Sequence, residues 1–207
     1  MSEQQDLPDL MGDDGREASV ERRTNETSVR LRLALDGDGR AQVETGLGFL
    51  DHMLTSLAKH ARLDLELACE GDLEVDDHHT AEDCALALGQ ALDKALGDRR
   101  GIRRFGHAYA PLDEALARAV VDLSGRPWPE VSLGFRRETI GEIATENLTH
   151  FFQSLAIAGR MALHVDVLRG ENDHHRAEAA FKALALALRD ALAEDGSGEV
   201  PSTKGVL

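Results

Sequence analysis

The chain has 207 residues, with 23 Lys plus Arg against 38 Asp plus Glu and a net charge of −15, enough to bury roughly 70% of its unfolded surface in one large domain or two fused small ones. That charge repels a polyanion such as DNA at long range, which argues against nucleic acid as a partner, and no apolar run approaches the ~20 residues that cross a bilayer. Cys69 and Cys84 have the spacing of neither a thiolate zinc site nor a disulfide framework, which fits a reducing cytoplasm.

Residues 1–17, MSEQQDLPDLMGDDGRE, have no apolar face and none of the basic and apolar regions of a secretion signal, so they read as a disordered acidic tail before a folded part, 18–207. From there SVERRT and TSVRLRLALDG read as strands, and GDGRAQVETG continues after a Gly-Asp-Gly turn. Gly48 to Lys59 puts Phe49, Met53, Leu54 and Leu57 at helical spacing, and DLELACEG returns to strand alternation. Thr80 to Leu96 is an Ala- and Leu-rich helix closed by Gly97. FGHAYAPL, ALARAVVDLSG and PEVSLGF then read as strands, with Pro111 and Pro127 at ends that tolerate a missing N–H. A helix over Glu146 to Met161, a strand ALHVDVLRG and a helix over Ala177 to Glu194 complete the chain before a Gly- and Pro-containing tail.

The pattern strand-strand-helix-strand-helix thus occurs twice. Asp77-His78-His79-Thr80-Ala81-Glu82 matches Asp173-His174-His175-Arg176-Ala177-Glu178, 96 residues later, and His52 in the first helix of one half matches His150 in the first helix of the other, 98 residues later. The expected fold is α+β: an internally duplicated two-layer unit, with halves at about 18–105 and 106–207, in which sheets pack against helices.

On a helix, positions i and i+4 share a face while neighbours diverge by about 100°. His78 and Glu82 therefore converge, as do His174 and Glu178, while His79 and His175 point elsewhere. Six imidazoles and two carboxylates divide evenly into two sites of three His and one Glu, with positions left open for water or substrate. Mixed imidazole and carboxylate ligation suits Mn, Fe, Co, Ni or Zn. His60, His107 and His164 have no partner across the repeat and read as ordinary histidines.

These residues, with GLGFLDHML, DDHHTAED, GIRRFG, SGRPW, HFFQSLA, NDHHRAEAAFK and PSTKG, resemble the imidazoleglycerol-phosphate dehydratase family of histidine biosynthesis from about Arg22 to Leu207. The resemblance implies a cytoplasmic hydro-lyase acting on a small phosphorylated imidazole, D-erythro-imidazole-glycerol phosphate, to give imidazole-acetol phosphate through a metal-bound imidazolate. It also implies two Mn(2+) per active site, in place of which other divalent transition metals can serve, and a large homo-oligomer, a 24-mer, built from trimers with metal sites between subunits. Carried over residue by residue, the metal ligands are His52, His78, His79, Glu82, His150, His174, His175 and Glu178. The phosphate contacts are Arg104, Arg126, Lys182, Ser202 and Lys204, and Glu26, Glu82 and Glu178 are the catalytic carboxylates, with Glu26 carrying proton traffic. Lys182 is four residues after Glu178, so it can instead pair with that carboxylate. Ser56 stands where relatives often carry Gln. Two other functions compete: a two-metal hydrolase of phosphate or amide bonds, which would hold its metals close through bridging carboxylates, and a non-catalytic metal-assembled scaffold.

Overall fold

The computed structural model describes residues 15–207; most of the expected acidic tail, residues 1–14, lies outside the described residues. The first half runs β1 (Glu17–Arg23), β2 (Thr27–Ala34), β3 (Ala41–Glu44), α1 (Gly48–Ala61), β4 (Asp64–Gly71) and α2 (His78–Leu96). The second runs β5 (Phe105–Leu112), β6 (Ala115–Asp122), β7 (Trp128–Ser132), a small hairpin of β8 (Thr139–Ile140) and β9 (Ile143–Ala144), α3 (Thr145–Ala158), β10 (Ala162–Arg169) and α4 (Asp173–Leu192). The sheet orders are β1-β2-β4-β3 and β5-β6-β10-β7, so the halves share one topology, and the expected duplicated α+β fold is observed. A short third strand joins each sheet at one edge, parallel to its neighbour: β3 beside β4 and β7 beside β10.

Strand alternation decides which sheet face meets the helices. Thr27, Val29, Leu31 and Leu33 of β2 are buried while Ser28, Arg30 and Arg32 alternate with them. In the second sheet the inward residues of β6 are Ala115, Ala117, Ala119 and Val121, small enough for α4 to lie close. Gly106 of β5 shows how close: a Cβ there would sit 2.0 Å from the carbonyl oxygen of Ala187. The helices also pack on each other across the halves, α2 on α3 and α1 on α4. Gly89 lets α2 approach α3, since an added Cβ would lie 2.7 Å from Ala158 Cβ and from the Leu155 carbonyl oxygen. The result is sheet, helices, helices, sheet, with the helical layers of the two halves facing each other.

Two helices begin earlier than the apolar periodicity indicates, because polar groups fix their starts. α2 opens at His78, whose amide donates to the Asp76 side chain, and α4 opens at Asp173 with the Asn172 side chain accepting from the His174 amide. Both His-His pairs therefore lie within a first helical turn. β1 begins at Glu17, one residue before the expected Ala18, and Arg16 before it donates to Asp36 and to the Leu192 carbonyl.

Asp64, 2% exposed, ties the β2–β3 turn to β4. Its carboxylate accepts from the Asp38 and Arg40 amides and from Arg40 Nε, each at 2.9 Å. Burial pushes this carboxyl up, but the Arg40 and Asp38 hydrogen bonds and the Arg40 charge outweigh it and hold it below the usual carboxylate range. Asp64→Asn is expected to cost about 2 kcal/mol at neutral pH, measured by denaturant unfolding. A depressed folded pKa gives stability that is complete above the unfolded value, near 4, and is lost as pH falls through the folded value. The gap between wild type and variant should therefore narrow on acidification; a gap that widens contradicts this role.

Candidate metal centre

Helix pairing across the halves assembles two groups. His78 and Glu82 of α2 meet His150 of α3, and His174 and Glu178 of α4 meet His52 of α1; within each group one donor atom per residue lies within 4.8 Å of the others. His150 Nε2 is 3.0 Å from Glu82 Oε1. His174 Nε2 is 3.2 Å and His52 Nε2 3.5 Å from Glu178 Oε2. Each triad takes donors from both halves, and neither carboxylate is shared. Two imidazoles and a carboxylate converging on one point are a fitting donor set for a divalent transition metal, with positions left open for further ligands.

Sequence spacing predicts three histidines per site, whereas each triad within this chain holds two. His79 and His175 follow their neighbours by about 100° of helix rotation and leave the cluster. Each is held by acidic groups instead: His79 Nδ1 is 3.1 Å from Asp72 Oδ2 and its Nε2 3.6 Å from Glu26 Oε1. His175 Nδ1 is 2.7 Å from Glu114 Oε2. The hydrogen bond to Asp72 holds the His79 pKa above the ordinary imidazole value, and Glu114 does the same for His175. The Asn172 amide, His175 and the Glu171 amide pull the Glu114 carboxyl down to about 2. Glu26 thus lies against His79, with its side chain half exposed.

Three supporting groups escape the sequence reading. Glu114 stands 88 residues after Glu26, the offset that relates β1 and β2 to β5 and β6. From α1 and α3 onward the offset is 97 or so, because the β8–β9 hairpin lengthens the second half; testing both offsets would have found Glu114. Asp72 and Asn147 carry no signal in one sequence. Asn147 Oδ1 lies 2.9 Å from His78 Nδ1. His60, His107 and His164 are exposed and outside both triads, as ordinary histidines would be.

Four of the five expected phosphate contacts lie at or near the C-terminal segment. Arg104 binds Asp122 through Nε and donates to the Pro201 carbonyl at 2.8 Å. Ser202 Oγ accepts from the Lys204 amide. Arg126 is exposed beside Gly125, where an added Cβ would lie 3.2 Å from the carbonyl carbon of Leu207. Lys182 Nζ instead lies 2.8 Å from Glu178 Oε1, the i, i+4 pairing its position allows.

A duplicated α+β protein with a His-His-Glu triad at each of two junctions between its halves has donor sets that could each hold a metal ion, the arrangement of a candidate metal-dependent enzyme. A family model for imidazoleglycerol-phosphate dehydratase matches residues 45–188. The chain is 61% identical over 201 residues to an imidazoleglycerol-phosphate dehydratase from Phytophthora nicotianae, covering 97% of this chain but 44% of that longer protein. It is 56% identical to one from Candida glabrata, covering 92% of this chain and 99% of the relative. The crystal structure of the Staphylococcus aureus enzyme superposes with a TM-score of 0.78 at 36% identity, covering 86% of this chain and 99% of that one. That of the Pyrococcus furiosus enzyme, in complex with (S)-C348, gives 0.79 at 37% identity, covering 91% and 100%. The chain belongs to the imidazoleglycerol-phosphate dehydratase family, hydro-lyases of histidine biosynthesis. Among the described residues no helix is long and apolar enough to cross a membrane.

Proposed function

We propose that the chain dehydrates D-erythro-imidazole-glycerol phosphate to imidazole-acetol phosphate and depends for this on two divalent cations, Mn(2+) by preference. The observation that carries the reading is the pair of cross-half triads, His78–Glu82–His150 and His52–His174–Glu178. The hydrogen to be lost lies next to no carbonyl, so a base alone faces a high barrier; bound cations supply Lewis-acid polarisation of the substrate. The residues of the two triads would hold those cations. Glu82 and Glu178 supply the negative charge of each donor set. His79 and His175 face away from their own chain's triads with Nδ1 held by carboxylates, which leaves Nε2 as the outward donor. That disposition supports ligands exchanged between subunits of a large homo-oligomer. Glu26, whose Oε1 lies 3.6 Å from His79 Nε2, is the candidate for proton transfer. The free thiols of Cys69 and Cys84 support a cytoplasmic setting.

In a hydrolase with bridged metals a carboxylate would be common to both groups, whereas here each belongs to its own triad. Chelation of the purified enzyme is expected to abolish formation of the keto product, and Mn(2+) to restore it. Activity that survives complete removal of metal, or inorganic phosphate released in step with turnover, overturns the reading.

Arg104, Arg126, Lys182, Ser202 and Lys204 are proposed to hold the substrate phosphate, an acidic protein needing local cations to bind a dianion. Lys182 on Glu178 would link the phosphate to a triad. Arg126→Ala and Lys204→Ala are each expected to raise KM about 10-fold or more while metal content stays full, because a hydrogen bond to a charged group contributes roughly 1.5–3 kcal/mol. An unchanged KM removes that residue from the phosphate site and favours the scaffold reading.

A further inference from the structure

We propose that the two triads are unequal, with His78–Glu82–His150 holding its cation more tightly than His52–His174–Glu178, and that Asn147 and Phe49 set the difference. The inference rests on the metal-centre reading above. His150 and His52 are equivalent across the repeat, so Asn147 and Phe49, each three residues before its histidine, occupy the same place in α3 and α1. Each touches the equivalent histidine of the opposite half. Asn147, buried, places its amide oxygen 2.9 Å from His78 Nδ1. Phe49 meets His174 edge to face, with ring centroids 5.0 Å apart.

The chemistry of these contacts differs. An imidazole that ligates through Nε2 must carry its proton on Nδ1, and a carbonyl oxygen that accepts this proton fixes the tautomer and ring orientation and strengthens Nε2 as a donor. Asn147 offers that acceptor to His78. A phenyl ring offers His174 none, and among the described residues nothing else accepts from its Nδ1. A second difference acts in the same direction. Lys182 lies on Glu178, whereas the equivalent position on α2 is Leu86, and among the described residues no Lys or Arg pairs with Glu82. An ammonium at 2.8 Å withdraws charge from the carboxylate that would face the metal.

The test is metal release from the Mn(2+)-loaded enzyme under excess chelator, followed by elemental analysis and electron paramagnetic resonance, with no assay of turnover. Wild type is expected to release its metal in two phases. Asn147→Ala should speed the slow phase 10- to 100-fold, the range for loss of a group that orients a metal ligand, and Asn147→Asp, which keeps the acceptor, should restore it. Phe49→Asn, which introduces an acceptor beside His174, should slow the fast phase. A single release phase in wild type, or a slow phase indifferent to Asn147→Ala, overturns the inequality and leaves the metal centre standing. A protein that retains no Mn(2+) after loading overturns both.

Discussion

Glu82→Gln and Glu178→Gln are each expected to lower kcat/KM for dehydration on the order of 1,000-fold or more, and each to lose one of the two cations. A neutral amide keeps the shape of the side chain but removes the only negative charge in its triad, and Lewis-acid stabilisation is worth several kcal/mol of barrier. The triads share no residue, so losing one cation should leave the other in place. Elemental analysis beside the dehydration assay checks both halves of the expectation. Full metal content with near-normal activity in either variant removes that carboxylate from the metal site. Loss of both cations from one substitution would mean that the two centres depend on each other, contrary to the separate donor sets.

Phe181→Ala is expected to cost about 3–5 kcal/mol, the range for deleting a buried aromatic ring. Phe181 of α4 is fully buried, with ring centroids 5.5 Å from Phe151 and 4.6 Å from Phe152 of α3. These two helices carry His150 and the His174–Glu178 pair, so the cluster also sets the spacing of the frame on which both triads are built. Thermal unfolding of the metal-free protein, which avoids stabilisation by bound ligand, should show a fall in Tm on the order of 10 °C. A shift of 2 °C or less would mean that the neighbours close over the gap.

The repeat and the i, i+4 pairing of His78 with Glu82 and of His174 with Glu178 are legible in the sequence because helical periodicity fixes which residues share a face. It does not fix which helix that face meets. His52 lies in the first half and completes the second half's triad, an arrangement set by the packing of α1 on α4. The edge strand β3, four residues long, is too short for alternation to mark its ends, whereas its counterpart β7 reads as a strand from PEVSLGF. Glu114 is hidden for a different reason: the β8–β9 hairpin shifts the internal register, so the offset that aligns the histidines misaligns everything before it. Asn147 reads as one more helical residue until α3 is seen against α2.

The interleaved origin of the donors constrains how such a protein can exist in pieces. A polypeptide ending near residue 104 would own His52, His78 and Glu82 yet no complete trio, and the remainder would fall short in the complementary way. A single-copy unit of this design would face the same shortfall, which two identical molecules face to face would meet by each lending an imidazole to the other in an isologous pairing. Joining two such units end to end makes that loan permanent and lets the two borrowers differ.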